Sequence, residues 1–171
     1  MDASRYSAAE TLRNGRPVVI RAQRPSDGQA LQEAARRMSA ESIYRRFFYP
    51  KRSATDEERA FYLHPDFVSH VALVAVLEED GREIIAGAGR YIGCGPGQAE
   101  VAFAVDDPHQ GLGIASLVMR HLTAIARDQG LREFVADVLP ENTPMLKVFE
   151  RCGLSVKVKR EPDAVHVTLG L

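Results

Sequence analysis

The chain has 171 residues, 45% of them apolar and 26% charged, with a formal net charge of -1. That length suits a single domain spanning residues 1–171, able to bury a core without metal or disulfide staples. The balanced charge carries no electrostatic footprint for nucleic acid or an anionic membrane surface, and no apolar run approaches the roughly 20 residues of a membrane helix. The N-terminus lacks a basic-then-apolar leader pattern, so the expected location is the cytoplasm. Cys94 and Cys152 stand far apart with no CxxC or Cys/His spacing, which argues against a zinc site and a disulfide framework and for two reduced thiols.

Residues 1–8 read as a flexible tail. "TLRNGRPVVIRAQ" then reads as two strands turning at Asn14-Gly15, a dipeptide that accepts positive φ cheaply. In "RPSDGQALQEAARRMS", Ser26 or Asp27 can cap a helix whose Leu31, Ala34 or Ala35, and Met38 share a face. "ESIYRRFFYP" continues as a second short helix stopped by Pro50, and Thr55 and Glu58 have capping-box spacing for a third. A meander follows: "HVALVAVLEEDGREIIAGAGRYI" hinges at Asp80-Gly81, and "CGPGQ" turns into the strand "AEVAFAVDD". From Gly111 to Asp128, Ile114, Val118, Leu122 and Ile125 make an apolar stripe opposite Ser116, Arg120, Thr123 and Arg127, with Gly130 as the stop. "LREFVADVLP" is a strand, "NTPMLKVFERCG" a helix between Pro144 and Gly153, and "LSVKVKREPDAVHVTLGL" a hairpin around Pro162-Asp163. Helices, an antiparallel meander, one β-α-β crossover and a hairpin make an α+β fold, not a doubly wound sheet.

The chemistry concentrates at "VDDPHQGLGIAS", between a strand and the long helix. A helix N-terminus presents unpaired N–H groups and partial positive charge, and glycines there let a phosphate approach the backbone. By themselves Gly111 and Gly113 allow three readings: a tight turn and nothing more, the pyrophosphate of a dinucleotide, or that of coenzyme A. The dinucleotide reading is the poorest, because Ser116 stands where GxGxxG needs its third glycine and the preceding strand closes a meander. A triphosphatase loop is excluded, since no GxxxxGK[ST] occurs.

Gln110, Gly113 and Ala115 resemble the Q/R-x-x-G-x-G/A motif of the GNAT (Gcn5-related) N-acetyltransferases. "NTPMLKVFERCGL" is similar to that family's N-x-x-A-x-x-L-Y-x-x-x-G-F segment, with Asn142, Phe149 and Gly153 in register. Within the family, the opening of the chain, notably Ser42 to Phe48, resembles the domain of bacterial Pat-type protein-lysine acetyltransferases. The resemblance implies a GNAT-like mixed sheet with helices on both faces and acetyl-CoA as cosubstrate, without metal. It places the pyrophosphate on the amides of Gly111, Leu112, Gly113, Ile114 and Ala115, with Gln110 beside them. The pantetheine arm then lies along the strand carrying Phe103, Ala104 and Val105, whose N–H groups can hold the thioester carbonyl, and Asp107-Pro108 marks where pairing ends. Asn142 and Phe149 complete the cofactor-binding set.

An amine must lose a proton before it attacks, at a cost of roughly 4 kcal/mol for a lysine at neutral pH. The period of two puts Val101, Phe103 and Val105 on one face of the strand and Glu100, Ala102 and Ala104 on the other. Glu100 is thus a carboxylate beside two small side chains, and it matches the glutamate proposed as general base in Pat-type relatives. Many family members use a tyrosine at the position of Phe149 to protonate the leaving thiolate; phenylalanine has no proton to give. Tyr44 and Tyr91 are the candidates to replace it. Cys94 has no histidine linked to it by any motif, His109 reads as a solvated residue of the turn, and the other histidines show no metal-ligand spacing. The expected activity is acetyl transfer to an amine in a ternary complex. The preferred acceptor is a protein lysine, with a small amine as the alternative acceptor and a non-catalytic acyl-CoA-binding module as the alternative class. Acceptor choice is expected to reside in the early helices, Ser26 to Leu63.

Overall fold

A computed structural model describes residues 1–47 and 55–171, apart from the side chains of Tyr44 and Phe47. Phe48, part of the Pat-like segment, and Pro50, read as a helix stop, lie outside the described residues. Two glycine-containing dipeptides set the hairpin turns. Asn14-Gly15 joins β1 (Ser7–Thr11) to β2 (Pro17–Ala22), with Gly15 at φ +86°. Asp80-Gly81, both at positive φ, joins β3 (His70–Glu79) to β4 (Arg82–Gly95). Between the hairpins lie α1 (Gly28–Arg36), α2 (Ala40–Phe47) and α3 (Asp56–Leu63). The capping box forms as its spacing demands: Glu58 N–H donates to Thr55 Oγ1 at 3.2 Å and Thr55 N–H to the Glu58 carboxylate at 3.4 Å.

After the turn at Gly97 come β5 (Gln98–Val105), α4 (Ile114–Asp128), β6 (Glu133–Val138), α5 (Thr143–Glu150), β7 (Ser155–Arg160) and β8 (Val165–Gly170). The described strands form one mixed sheet in the order β1-β2-β3-β4-β5-β6-β8-β7. Neighbours run antiparallel except β5 and β6, which the right-handed route through α4 makes parallel. The sheet is α+β as its element order implies, and it is covered on both faces. On one face Val71, Leu73, Ala75 and Leu77 of β3 pack with Ile114, Val118, Leu122 and Ile125 of α4; on the other, Val74, Val76 and Ile85 pack against Ala30 and Leu31 of α1.

Several boundaries differ from the sequence reading. The segment read as a tail contains a 3-10 turn at Ala3–Arg5 and the start of β1, and Ala3 is buried in the main core. Asp27 precedes α1 but does not cap it. Its carboxylate takes both Arg21 guanidinium nitrogens at 2.8 Å and the Arg24 N–H at 2.7 Å. The long helix begins at Ile114 rather than Gly111, and Thr123 is buried rather than on the solvent face.

Two glycines of β4 let α4 lie directly on the strand backbone. A Cβ at Gly89 would stand 2.5 Å from Val118 Cγ1, and one at Gly87 2.9 Å from Ile114 Cγ2. On the opposite face the Arg90 guanidinium is largely buried and has no carboxylate partner among the described residues. It reaches His70 Nε2 at 2.8 Å, Gln23 Oε1 at 3.0 Å and the Tyr62 carbonyl at 3.3 Å, and lies 4.7 Å from the centre of the Tyr62 ring. Burial lowers Arg90 to about 10; burial first, and then the adjacent guanidinium, lower His70 to about 4.

Overpacking at the strand and helix contact makes Gly89→Ala less stable by about 1–3 kcal/mol in urea titrations. The unfolded chain takes up a proton near pH 6.5 that native His70 refuses until about pH 4. Stability therefore falls as pH drops through that window, by on the order of 3 kcal/mol more for the wild type than for His70→Gln, measured by unfolding at a series of pH values.

Candidate active site

β5 and β6 share only the pairs Gln98↔Glu133, Ala99↔Phe134 and Glu100↔Val135. Beyond Glu100, β5 stays with β4 as far as Val105, while β6 follows β8 to Val138. The two parallel strands therefore fork, and a cleft of about 730 Å³ opens between them. The fork lies well before Pro108, where the end of pairing was expected; Asp107-Pro108 instead belongs to a 3-10 turn, Asp107–His109.

Strand alternation fixes what the fork exposes. Asp106 N–H donates to Ala86 O of β4 at 2.9 Å, so the peptide groups of Phe103 and Val105 point away from β4, into the cleft. Their N–H groups have no partner among the described residues, and Val105 O accepts from Gln110 Nε2 at 3.2 Å. Glu100 stands at the crotch of the fork beside Ala102 and Ala104 on the cleft wall. It is exposed and makes no hydrogen bond or ion pair among the described residues.

The turn from β5 into α4 forms the cleft's other end. Gly111 and Gly113 have φ of +78° and +90°, which a side chain would resist, and Gly113 is the N-cap without any side-chain cap. No protein group accepts the N–H groups of Gly111 to Ala115 among the described residues, while Leu112 O accepts the Arg13 N–H at 3.1 Å. These free donors, at the positive end of a 15-residue helix, make a seat for an anion. Arg13, Arg45, Arg46, Lys147 and Arg151 stand around the cleft. The donor set fits the diphosphate of coenzyme A.

A buried polar cluster fixes this turn to the sheet. The bulge between Ala75 and Val76 leaves Ala86 as the extra residue of β4. Its carbonyl takes Asp106 N–H, and the carbonyl of Ile85 takes Arg37 Nη2 at 2.8 Å. The Asp106 side chain is fully buried between Arg37 Nε at 2.6 Å and His109 Nδ1 at 2.5 Å. His109 Nε2 lies 2.9 Å from Glu79, which also meets Arg16 at 3.4 Å. Asp107 accepts the Ser39 N–H at 3.0 Å and the Ser42 hydroxyl at 2.8 Å, and Gln110 Nε2 reaches Ser42 Oγ at 3.2 Å. His109 is thus buried and bridging, not solvated as the sequence suggested.

Residues 37–154 match the pattern of the Acetyltransferase (GNAT) family. The chain belongs to that family. This acetyltransferase is 32% identical over 155 residues to acetyltransferase PA5475 of Pseudomonas aeruginosa, covering 90% of this chain and 82% of that protein. It is 31% identical over 144 residues to the acetyltransferase Pat of Mycolicibacterium smegmatis, covering 83% of this chain but only 42% of that longer protein. Among solved structures it superposes on the GNAT domain of S. lividans PAT with a TM-score of 0.86 at 35% identity, over 96% of this chain and 97% of that one. At 20% identity, the fold alone is shared with yncA of Salmonella typhimurium, a putative acetyltransferase solved with its cofactor acetyl-CoA; the TM-score is 0.68, over 90% of this chain and 92% of that one.

Other candidates of the acetyltransferase sort by position. Asn142 lines the cleft and caps α5, accepting the Met145 N–H at 3.4 Å. Phe149 is buried on the cleft floor, 6.2 Å between ring centres from Phe103, and its carbonyl takes the Cys152 thiol at 2.9 Å. Tyr91 is no acid for the leaving group: it is buried, its hydroxyl donates to Gln129 Oε1 at 2.5 Å, and burial raises its pKa strongly. The Tyr44 side chain lies outside the described residues. Burial, with Glu100 and Glu133 nearby, raises the Cys94 thiol, the wrong direction for a nucleophile. Met38, Ser42, Arg45 and Arg46 bring α2 and the residues before it to the cleft. Removing the central carboxylate of the buried cluster strands the Arg37 guanidinium and takes away the partner of His109 Nδ1, so Asp106→Ala lowers stability by about 3 kcal/mol in urea titrations.

Proposed function

We propose that this acetyltransferase moves acetyl from acetyl-CoA to the ε-amine of a protein lysine by direct attack within a ternary complex. The observation that carries the reading is the Glu100 carboxylate at the fork, without a hydrogen-bond or ion-pair partner among the described residues, beside the free Phe103 and Val105 N–H groups of β5. Acetyl-CoA supplies an acetyl carbon activated by its thioester. The N–H groups of Gly111 to Ala115 hold its diphosphate, Gln110 braces that turn through Val105 O and Ser42 Oγ, and Phe103, Ala104 and Val105 line its arm, with Asn142 and Phe149 as the facing wall. Glu100 accepts the proton of the incoming ammonium, directly or through one water, offsetting the roughly 4 kcal/mol needed to make a lysine neutral. As the amine attacks, the N–H groups of Phe103 and Val105 stabilise the charge that grows on the carbonyl oxygen. Phe149 gives no proton to the departing sulfur, and a thiol with a pKa of about 8.5 leaves readily as thiolate.

The likeness to the GNAT domain of S. lividans PAT and to M. smegmatis Pat supports a protein lysine as acceptor. An acceptor side built from α2 and open to solvent suits a long flexible amine on a protein surface. In assays of thiol release with lysine-bearing proteins, Glu100→Gln lowers kcat/KM by about 100-fold or more. Wild-type turnover in that variant takes Glu100 out of the reaction; acetyl found only on small amines takes protein lysine out of the reading.

A further inference from the structure

Two residues beyond its last pair with β5, β6 carries a second carboxylate of the cleft. Val135 is paired with Glu100, and alternation puts Asp137, two residues on, on the same face of the sheet as Glu100. Asp137 is exposed and lines the cleft. At about 4.8 Å between strands and about 3.3 Å of rise per residue, the two Cα atoms stand roughly 8 Å apart or more, on opposite arms of the fork. The other face of β6 and β8 is core, where Phe134, Ala136, Val138, Val165, Val167 and Leu169 are buried. His166 stands directly across from Asp137 in β8. Its Nδ1 meets Asp137 Oδ1, and its Nε2 lies 3.2 Å from Glu161, which also meets Lys159 at 3.5 Å. The bond to Asp137, and after it the one to Glu161, raises the pKa of His166. Exposed pairs of this kind contribute little to stability; what this one does is fix the Asp137 carboxylate by one oxygen. Asp137 Oδ2 has no partner among the described residues.

A lysine reaches the cleft as a cation, since its ammonium, with a pKa of about 10.4, stays charged at neutral pH. The α2 side of the cleft brings Arg45 and Arg46, which repel it. The sheet side brings Glu100 and, across the fork, a carboxylate held in place with one oxygen open. Two carboxylates together can replace the water that an ammonium sheds on entering. We infer that Asp137 is an acceptor-specificity residue, which receives the acceptor's ammonium group and so selects cationic amines while Glu100 takes the proton. The inference rests on the lysine and Glu100 reading above. The attacking nitrogen turns cationic again as the new C–N bond forms, so the contact is felt alike before and during attack. Its loss therefore falls on acceptor KM rather than on kcat.

The test is the initial rate of thiol release by the full chain at saturating acetyl-CoA, with two peptides of one sequence. One carries a single lysine; the other carries in its place an aminooxy side chain of equal length, whose nitrogen is uncharged at neutral pH. Asp137→Asn keeps the shape of the side chain and an acceptor for His166, and at an exposed position it leaves the core intact. It raises KM for the lysine peptide about tenfold, as loss of a charge-assisted contact requires. It leaves kcat, KM for the aminooxy peptide and acetyl-CoA affinity by calorimetry as in the wild type. Unchanged KM for the lysine peptide, a rise shared by both peptides, or a fall in kcat in place of a rise in KM overturns this inference and leaves the lysine and Glu100 reading standing. A wild type that releases no thiol with the lysine peptide overturns both.

Discussion

Everything at the site follows from two parallel strands that share three residue pairs and then part. A sheet normally consumes the hydrogen-bonding capacity of its strands, and an unpaired buried N–H or C=O is costly. Here β5 is satisfied on one side by β4 and left open on the other from Glu100 onward, while β6 finds its partner in β8. The fork is thus an interior sheet edge with a ligand-sized gap beside it. It puts a carboxylate, two outward-facing peptide groups and the start of the 15-residue helix α4 within one cleft. None of these is unusual alone; their convergence depends on the parting.

The open edge is held in place by a second irregularity. The bulge at Ala86 turns two adjacent carbonyls toward the segment between β5 and α4, where they take the Asp106 N–H and the Arg37 guanidinium. Asp106, His109 and Glu79 extend the attachment to the tip of the β3–β4 hairpin. Asp107 and Gln110 extend it to α2 through Ser42. The turn is therefore tied both to the sheet and to α2.

Much of the fold was legible because its signals are local. Asn-Gly and Asp-Gly turns, the Thr55/Glu58 box and the stripe of α4 each depend on residues within a turn or two of one another. The glycine turn and free N–H groups at the start of α4 were legible for the same reason, since "QGLGIAS" carries its glycines and its helix together, and the Glu100 face followed from alternation. The fork's position was not, because it records which neighbour wins each strand, and the competing ladders with β4 and β8 are distant in sequence. The buried cluster was hidden likewise: His109 finds Glu79 and Asp106 finds Arg37 across 30 and 69 positions. Nothing near His109 distinguishes it from a solvated turn residue. Arg13 was equally silent, its place fixed by a hairpin that docks on Leu112.

Gly87 and Gly89 carry a consequence for how such a catalyst can change its acyl group. Because the long helix rests on bare backbone, the spacing of that layer has a single value, and every atom suspended from the helix start inherits it. On the strand's side of that contact there is no side chain to trim. On the acetyl-CoA reading proposed above, room for a bulkier thioester would have to come from the facing wall, where Val138, Met145 and Phe149 stand. Specificity for the transferred group and fidelity of its placement thus sit on opposite sides of the same gap, free to evolve apart.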